Sequence, residues 1–123
     1  MIIVEGLAYL TIPVTNLDAS SQFYQDLFDF EVVGKKSASS VKMELEGITI
    51  QLQKVSSPVD HLAKQGLPIL SFFLDVDDFT EAIAEIEEKS LTITKGPEAT
   101  SDGGEFLIFK DPDGNLLEIS YSG

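Results

Sequence analysis

Cysteine is absent from this 123-residue chain, so no disulfide, thiolate nucleophile or zinc–thiolate site is available to it. Histidine occurs once, at His61, in a stretch that reads as a solvated connecting loop. Basic residues are few, 8 against 21 acidic ones, for a formal charge of −13. Such a chain repels phosphate backbones and anionic lipid surfaces, which argues against nucleic-acid and membrane partners. The acidity either steers cationic ligands toward a pocket or simply keeps the protein soluble, and the plainer reading is preferred. Long apolar runs are missing too. Stretches such as Ile69-Leu70 and Phe72-Phe73-Leu74 fall far short of the roughly 18 residues a membrane helix needs. The opening MIIVEG has neither a basic region nor a small-residue cleavage site, so no secretory signal is expected and the cytoplasm is the expected location.

What the chain does have is a repeat. LAYLTIPVTNLDASSQFYQDLFDFE, residues 7–31, runs from an apolar strand through a polar turn into a helix ending in aromatics. ILSFFLDVDDFTEAIAEIEE, residues 69–88, follows the same order. Setting Val14 on Val76 gives an offset of 62 residues, about half the chain, which suits a duplicated supersecondary module rather than a short solenoid repeat. A length of 123 residues fits one core, so a single domain is expected over residues 1–123: module one at about 5–54, a connector at 55–68 and module two at 69–123.

In module one the spacing predicts a strand from Leu7 to Pro13, with Ala8, Leu10 and Ile12 on its more apolar face. A helix capped by Asn16 or Asp18 follows, and its Leu17, Tyr24, Leu27 and Phe28 should pack on that face. Strands are expected at Glu31–Gly34, Val41–Glu46 and Ile48–Lys54, completing a βαβββ order. In module two the strand carries Leu70, Phe72, Leu74 and Val76 on one face, and Asp77 is the expected cap of the next helix. Phe79, Ala82, Ile83 and Ile86 recur there at helical spacing, with Glu81, Glu85 and Glu88 away from them. Strands at Leu91–Thr94, Glu105–Phe109 and Leu116–Tyr121 complete the second βαβββ. Between the last two, DPDG reads as a β-turn and offers too few oxygens for calcium.

LTIPVTNLDASSQFYQDLFDFEVV and FLIFKDPDGNLLEIS resemble the first strand and helix and the closing hairpin of the vicinal oxygen chelate superfamily, which includes glyoxalase I, extradiol dioxygenases and bleomycin-resistance proteins. The resemblance covers almost the whole chain. It implies an α+β fold of two βαβββ modules forming an eight-stranded, cup-shaped mixed sheet with helices on its outer face, and a homodimer. Enzymes of that family typically carry a histidine in each first strand and a glutamate or histidine in each last strand as metal ligands. Matched to this chain, Tyr9 and Ser71 occupy the histidine positions, Glu118 of GNLLE is a glutamate, and Gln51 is its counterpart in module one. One carboxylate with an amide, a phenol and a serine hydroxyl makes a weak site for a divalent transition metal.

Tyr9, Thr11, Gln51, Ser71, Phe73 and Glu118 all fall on strand faces expected to point away from the helices. If Lys110 pairs with Asn115 across the turn, Leu107 and Phe109 join Leu116 and Glu118 on that face as apolar wall. The set Tyr9, Thr11, Gln51, Ser71, Phe73, Phe109 and Glu118 is therefore the expected ligand-binding lining, with no catalytic residue and no metal ligand assigned. The leading expectation is a metal-free, cofactor-free binding protein, not an enzyme, which holds an amphipathic or cationic small molecule as bleomycin-resistance proteins do. The alternative is a metal-dependent lyase, isomerase or dioxygenase with an atypical metal site at Glu118 and Gln51, helped by Tyr9. A third reading is an interaction module whose cup is filled by its own side chains.

Overall fold

The computed structural model describes residues 1–58 and 61–123, and the chain divides into two compact units, Met1–Val59 and Asp60–Gly123. In the first unit the elements are β1 (Leu10–Val14), α1 (Leu17–Phe28), β2 (Glu31–Val33), β3 (Ser40–Leu45) and β4 (Ile48–Lys54). They make a four-stranded sheet in the order β1-β4-β3-β2, with β1 parallel to β4 and the other pairs antiparallel. Asn16 starts α1 by accepting the N–H of Ala19 at 3.0 Å, and Asp29 ends it in the left-handed region at φ 68°.

Alternation along the strands sends Ile12, Val14, Val41, Met43, Ile50 and Leu52 to one face, where all are buried with Tyr24 and Phe30. Each such side chain stabilises the fold by about 1.5–3 kcal/mol. The helix α1 lies over β3 and β4. Of the three residues expected beneath it, only Ile12 is buried; Ala8 and Leu10 are exposed because β1 is an edge strand and pairing begins at Leu10 rather than Leu7.

The second unit contains α2 (His61–Lys64), β5 (Leu70–Phe73), α3 (Val76–Glu88), β6 (Ile93–Ala99), β7 (Glu105–Lys110) and β8 (Leu116–Tyr121). Its sheet repeats the first one's topology, β5-β8-β7-β6, with β5 parallel to β8. Leu70, Leu107, Phe109, Leu117 and Ile119 are buried on the face that takes Phe79 and Ile86 of α3. The α+β fold of two βαβββ modules is thus the one expected, its strands paired as two four-stranded mixed sheets. The connector is not wholly irregular, since it carries the short helix α2 with an exposed His61.

Two local expectations change in module two. Asp75, not Asp77, caps α3, accepting the N–H of Asp78 at 2.9 Å. The strand β5 stops at Phe73, so the first aspartate of DVDD already stands at the helix entrance. The strand β6 begins at Ile93 instead of Leu91 and runs on to Ala99, with register shifts against β7.

Candidate functional site

The hairpin turn fixes which residues share a face with Glu118. Asp111 is buried, and its Oδ1 accepts the N–H groups of Asp113 and Asn115, each at 2.9 Å, while Asn115 Nδ2 donates to Oδ2 at 2.9 Å. The Asp111 N–H donates to Asn115 O, so the loop proper is Pro112-Asp113-Gly114, with Gly114 at φ 84°. Lys110 therefore stands opposite Leu116 instead of Asn115. A shift of one residue exchanges the two faces of the strand.

Phe109 consequently pairs with Leu117 and is fully buried on the helix side, as is Leu107 beside Ile119. The expectation that Phe109 lines a ligand face is corrected: Ile108, opposite Glu118, and Leu116 supply the apolar flank instead. Alternation could have assigned them, had the turn been read as three residues between Asp111 and Asn115.

On that second face of the second sheet, Ser71 of β5 lies in register with Glu118 of β8. Ser71 Oγ donates to Glu118 Oε1 at 2.5 Å. Glu118 is half-buried with Ile108 beside it, whereas Ser71 is exposed and Phe73, two residues along the edge strand, is 88% exposed. A carboxylate beside apolar surface is costly without hydrogen bonds, and Ser71 supplies one.

In the first sheet the corresponding row is Thr11, Gln51 and Lys42, on β1, β4 and β3. Gln51 stands four residues after the hairpin Gly47 as Glu118 does after Gly114, so the partners Thr11 and Ser71 are equivalents. Ile69, which has no side-chain donor, is then the equivalent of Tyr9, and the first strands repeat at an offset of 60 residues rather than 62. The sequence matching that placed Ser71 in that role is corrected accordingly; Val76, used to set the offset, belongs to α3. Gln51 Nε2 donates to Gln53 Oε1 at 3.3 Å, and Gln53 Nε2 to Ser39 O at 3.1 Å. Tyr9 is 41% exposed, its ring centroid 4.7 Å from Lys42 Nζ. Lys42 was not among the expected site residues, although the alternation in VKMEL already sets it opposite in facing to Val41 and Met43.

Surface clefts occur elsewhere in each unit. One of about 380 Å³ opens between the start of α1 and Ser37, Ala38 and Lys54, and one of about 590 Å³ lies along Glu81, Glu85 and Glu88 of α3. Neither contains an expected site residue.

Comparison with known proteins gives the family. The family described as Glyoxalase/Bleomycin resistance protein/Dioxygenase superfamily matches residues 6–119. The chain is 26% identical to the "Virulence protein STM3117" of Salmonella typhimurium, over 96% of this chain and 85% of that protein. It is 23% identical to the "Metallothiol transferase FosB" of Staphylococcus haemolyticus, over 94% of this chain and 83% of that one. Among solved structures, a variant of the fosfomycin resistance protein FosX of Listeria monocytogenes, complexed with Mn(II) and 1S,2S-dihydroxypropylphosphonic acid, superposes with a TM-score of 0.82. It is 19% identical over 98% of this chain and 95% of that one.

These relatives overturn two expectations. A metal-free protein that only sequesters its ligand does not accord with kinship to a metallothiol transferase, and the expected lack of any cofactor falls with it, given a solved relative holding Mn(II). The metal-dependent alternative is the better supported. The donors present nevertheless do not fit a site closed by several imidazole and carboxylate ligands: no three His, Cys, Asp or Glu side chains cluster for a metal among the described residues. What the pairing of β5 with β8 offers is the carboxylate of Glu118 with the Ser71 hydroxyl beside it. With the family matched over residues 6–119 and the fold reproduced, the chain belongs to the Glyoxalase/Bleomycin resistance protein/Dioxygenase superfamily.

Proposed function

We propose that this chain is a metal-dependent enzyme acting on a small polar molecule, with an atypical metal site in which Glu118 is the only anionic donor. The observation that carries the reading is the Ser71–Glu118 pair. Ser71 Oγ occupies Oε1 at 2.5 Å, and among the described residues Glu118 has no other hydrogen-bond partner. Its second oxygen is thereby available to a cation or to a proton of the substrate, while Ser71 fixes the orientation of the carboxylate. Phe73, exposed on the neighbouring strand, offers apolar area to a bound molecule. A divalent metal supplies polarisation of a substrate oxygen when bound.

The names of the relatives select the first substrate to try, fosfomycin, with either a thiol or water as nucleophile. Turnover is followed by 31P NMR with and without Mn(II). The expected result is Mn(II)-dependent loss of fosfomycin that Glu118→Gln abolishes without unfolding the protein. Turnover that is the same after exhaustive chelation, or in Glu118→Gln, overturns the reading. We also propose that residues 1–123 work as one functional domain, since the family match spans both units. A cytoplasmic homodimer goes with it: Met1, Ile2, Ile3, Val4 and Leu7 are at least 75% exposed, apolar area of the kind a second copy covers. No described helix is long and apolar enough to cross a membrane.

A further inference from the structure

On the second face of the first sheet one lysine stands in a row of uncharged side chains, with two glutamates in the adjoining row. Lys42 of β3 is opposite Gln51 of β4, and Gln51 is in register with Thr11 of β1. The Lys42 ammonium sits over the Tyr9 ring, 4.7 Å from its centroid. The ring attracts the cation and narrows its positions without neutralising its charge. In a chain with 21 acidic and 8 basic residues, Lys42 makes no ion pair among the described residues. Lys89, by contrast, meets Glu85 at 4.0 Å on the surface of α3. The adjoining row places Glu44 against Glu31 and Thr49, and the row on the other side pairs Ser40 with Gln53. A hydroxyl, an amide and an ammonium thus line up across three strands, with the amide held by its bond to Gln53 at 3.3 Å.

We infer that Lys42 is a specificity-determining residue that recognises an anionic oxygen group, carboxylate or phosphate-like, on the small-molecule substrate. Thr11 donates a hydroxyl alongside it, and Tyr9 positions the ammonium. A lone lysine acts here as a point charge, so it selects for negative charge more than for the shape of the head group. The inference deepens the enzyme reading and rests on it for the substrate being a small molecule.

The test uses ligand-detected NMR with inorganic phosphate and propionate as probes and propionamide as the neutral control, on the full chain and on its Lys42→Met and Lys42→Arg variants. Methionine keeps the length of the side chain on an exposed strand position, so the fold is retained. Lys42→Met is expected to lose about tenfold or more in affinity for at least one anion, the loss of one charge-assisted hydrogen bond. Lys42→Arg keeps the binding, and propionamide does not distinguish the proteins. Loss for phosphate alone, or for propionate alone, identifies the head group. Equal anion binding by wild type and Lys42→Met, or no anion binding by the wild type at millimolar concentration, overturns the inference. Mn(II) uptake measured on the same samples separates the two readings: its absence in the wild type sinks the enzyme reading, whereas its presence beside unchanged anion binding in Lys42→Met sinks only the role of Lys42.

Discussion

Replacing Phe109 and Phe73 separately by alanine tests the register that decides which face a ligand meets. Phe109 is fully buried opposite Leu117, and Phe73 is 88% exposed. Truncating a buried phenylalanine costs about 3–5 kcal/mol, from lost transfer free energy plus the cavity left behind. A chain of 123 residues has a total stability of roughly 6–18 kcal/mol at the usual ~0.05–0.15 kcal/mol per residue. Phe109→Ala therefore removes a large share of the whole. With a urea slope of about 2 kcal/mol/M, its unfolding midpoint falls by about 1.5–2.5 M, while the slope itself is unchanged. Phe73→Ala touches little and shifts the midpoint by less than about 0.3 M, within the ~0.5 kcal/mol of ordinary surface changes. The assay is urea denaturation followed by far-ultraviolet circular dichroism. Equal small shifts for both variants would refute the register, because they would put Phe109 on the second face and Ile108 in the core.

The cap of α3 is tested by Asp75→Ala, which removes the acceptor of the Asp78 N–H and should destabilise the protein by about 1 kcal/mol in the same assay. Asp77→Ala, at the position first expected to cap, should cost less. Gly104→Ala places a methyl group against the Tyr121 carbonyl and should cost about 2 kcal/mol by overpacking, read as a lowered thermal midpoint; an unchanged midpoint would contradict the close approach. The Asp102 carboxyl is held below its ordinary value, first by the Thr100 hydroxyl and then by the Gly104 N–H. A carboxylate depressed in the folded state contributes stability that is present above its unfolded value and lost as pH falls through the folded one. Thr100→Val should move the Asp102 titration upward in an NMR pH series, and an unmoved titration would remove the hydroxyl as its cause.

The residues that carried the fold legibly are those whose neighbours in sequence decide their conformation. Ile48–Lys54 and Leu116–Tyr121 were bounded correctly because alternation and flanking glycines act within a few residues. The facing of Phe79 and Ile86 followed from helical spacing in the same way. Register was not legible, since a side chain four residues away, Asp111, sets the length of the last hairpin through its bonds to Asp113 and Asn115. Phe109 was misassigned for that reason alone. The choice of Asp75 over Asp77 depended on where β5 stops, which strand pairing with β8 determines. At the site, the contact of Ser71 with Glu118 joins residues 47 apart in sequence, and only the parallel pairing of β5 with β8 shows it. The missing ligands were visible as residue types, but the inference from them to a metal-free protein failed. An incomplete donor set limits how tightly a metal is held; it does not show that the chemistry has been given up.

The most direct measurement is an electron paramagnetic resonance titration of Mn(II) into the wild-type protein and Glu118→Gln, reading the free-ion signal. The wild type is expected to deplete that signal to one ion per site, with the modest affinity of a single carboxylate, and Glu118→Gln to leave it untouched. Depletion that is equal in the two proteins, or absent from both, would contradict that expectation.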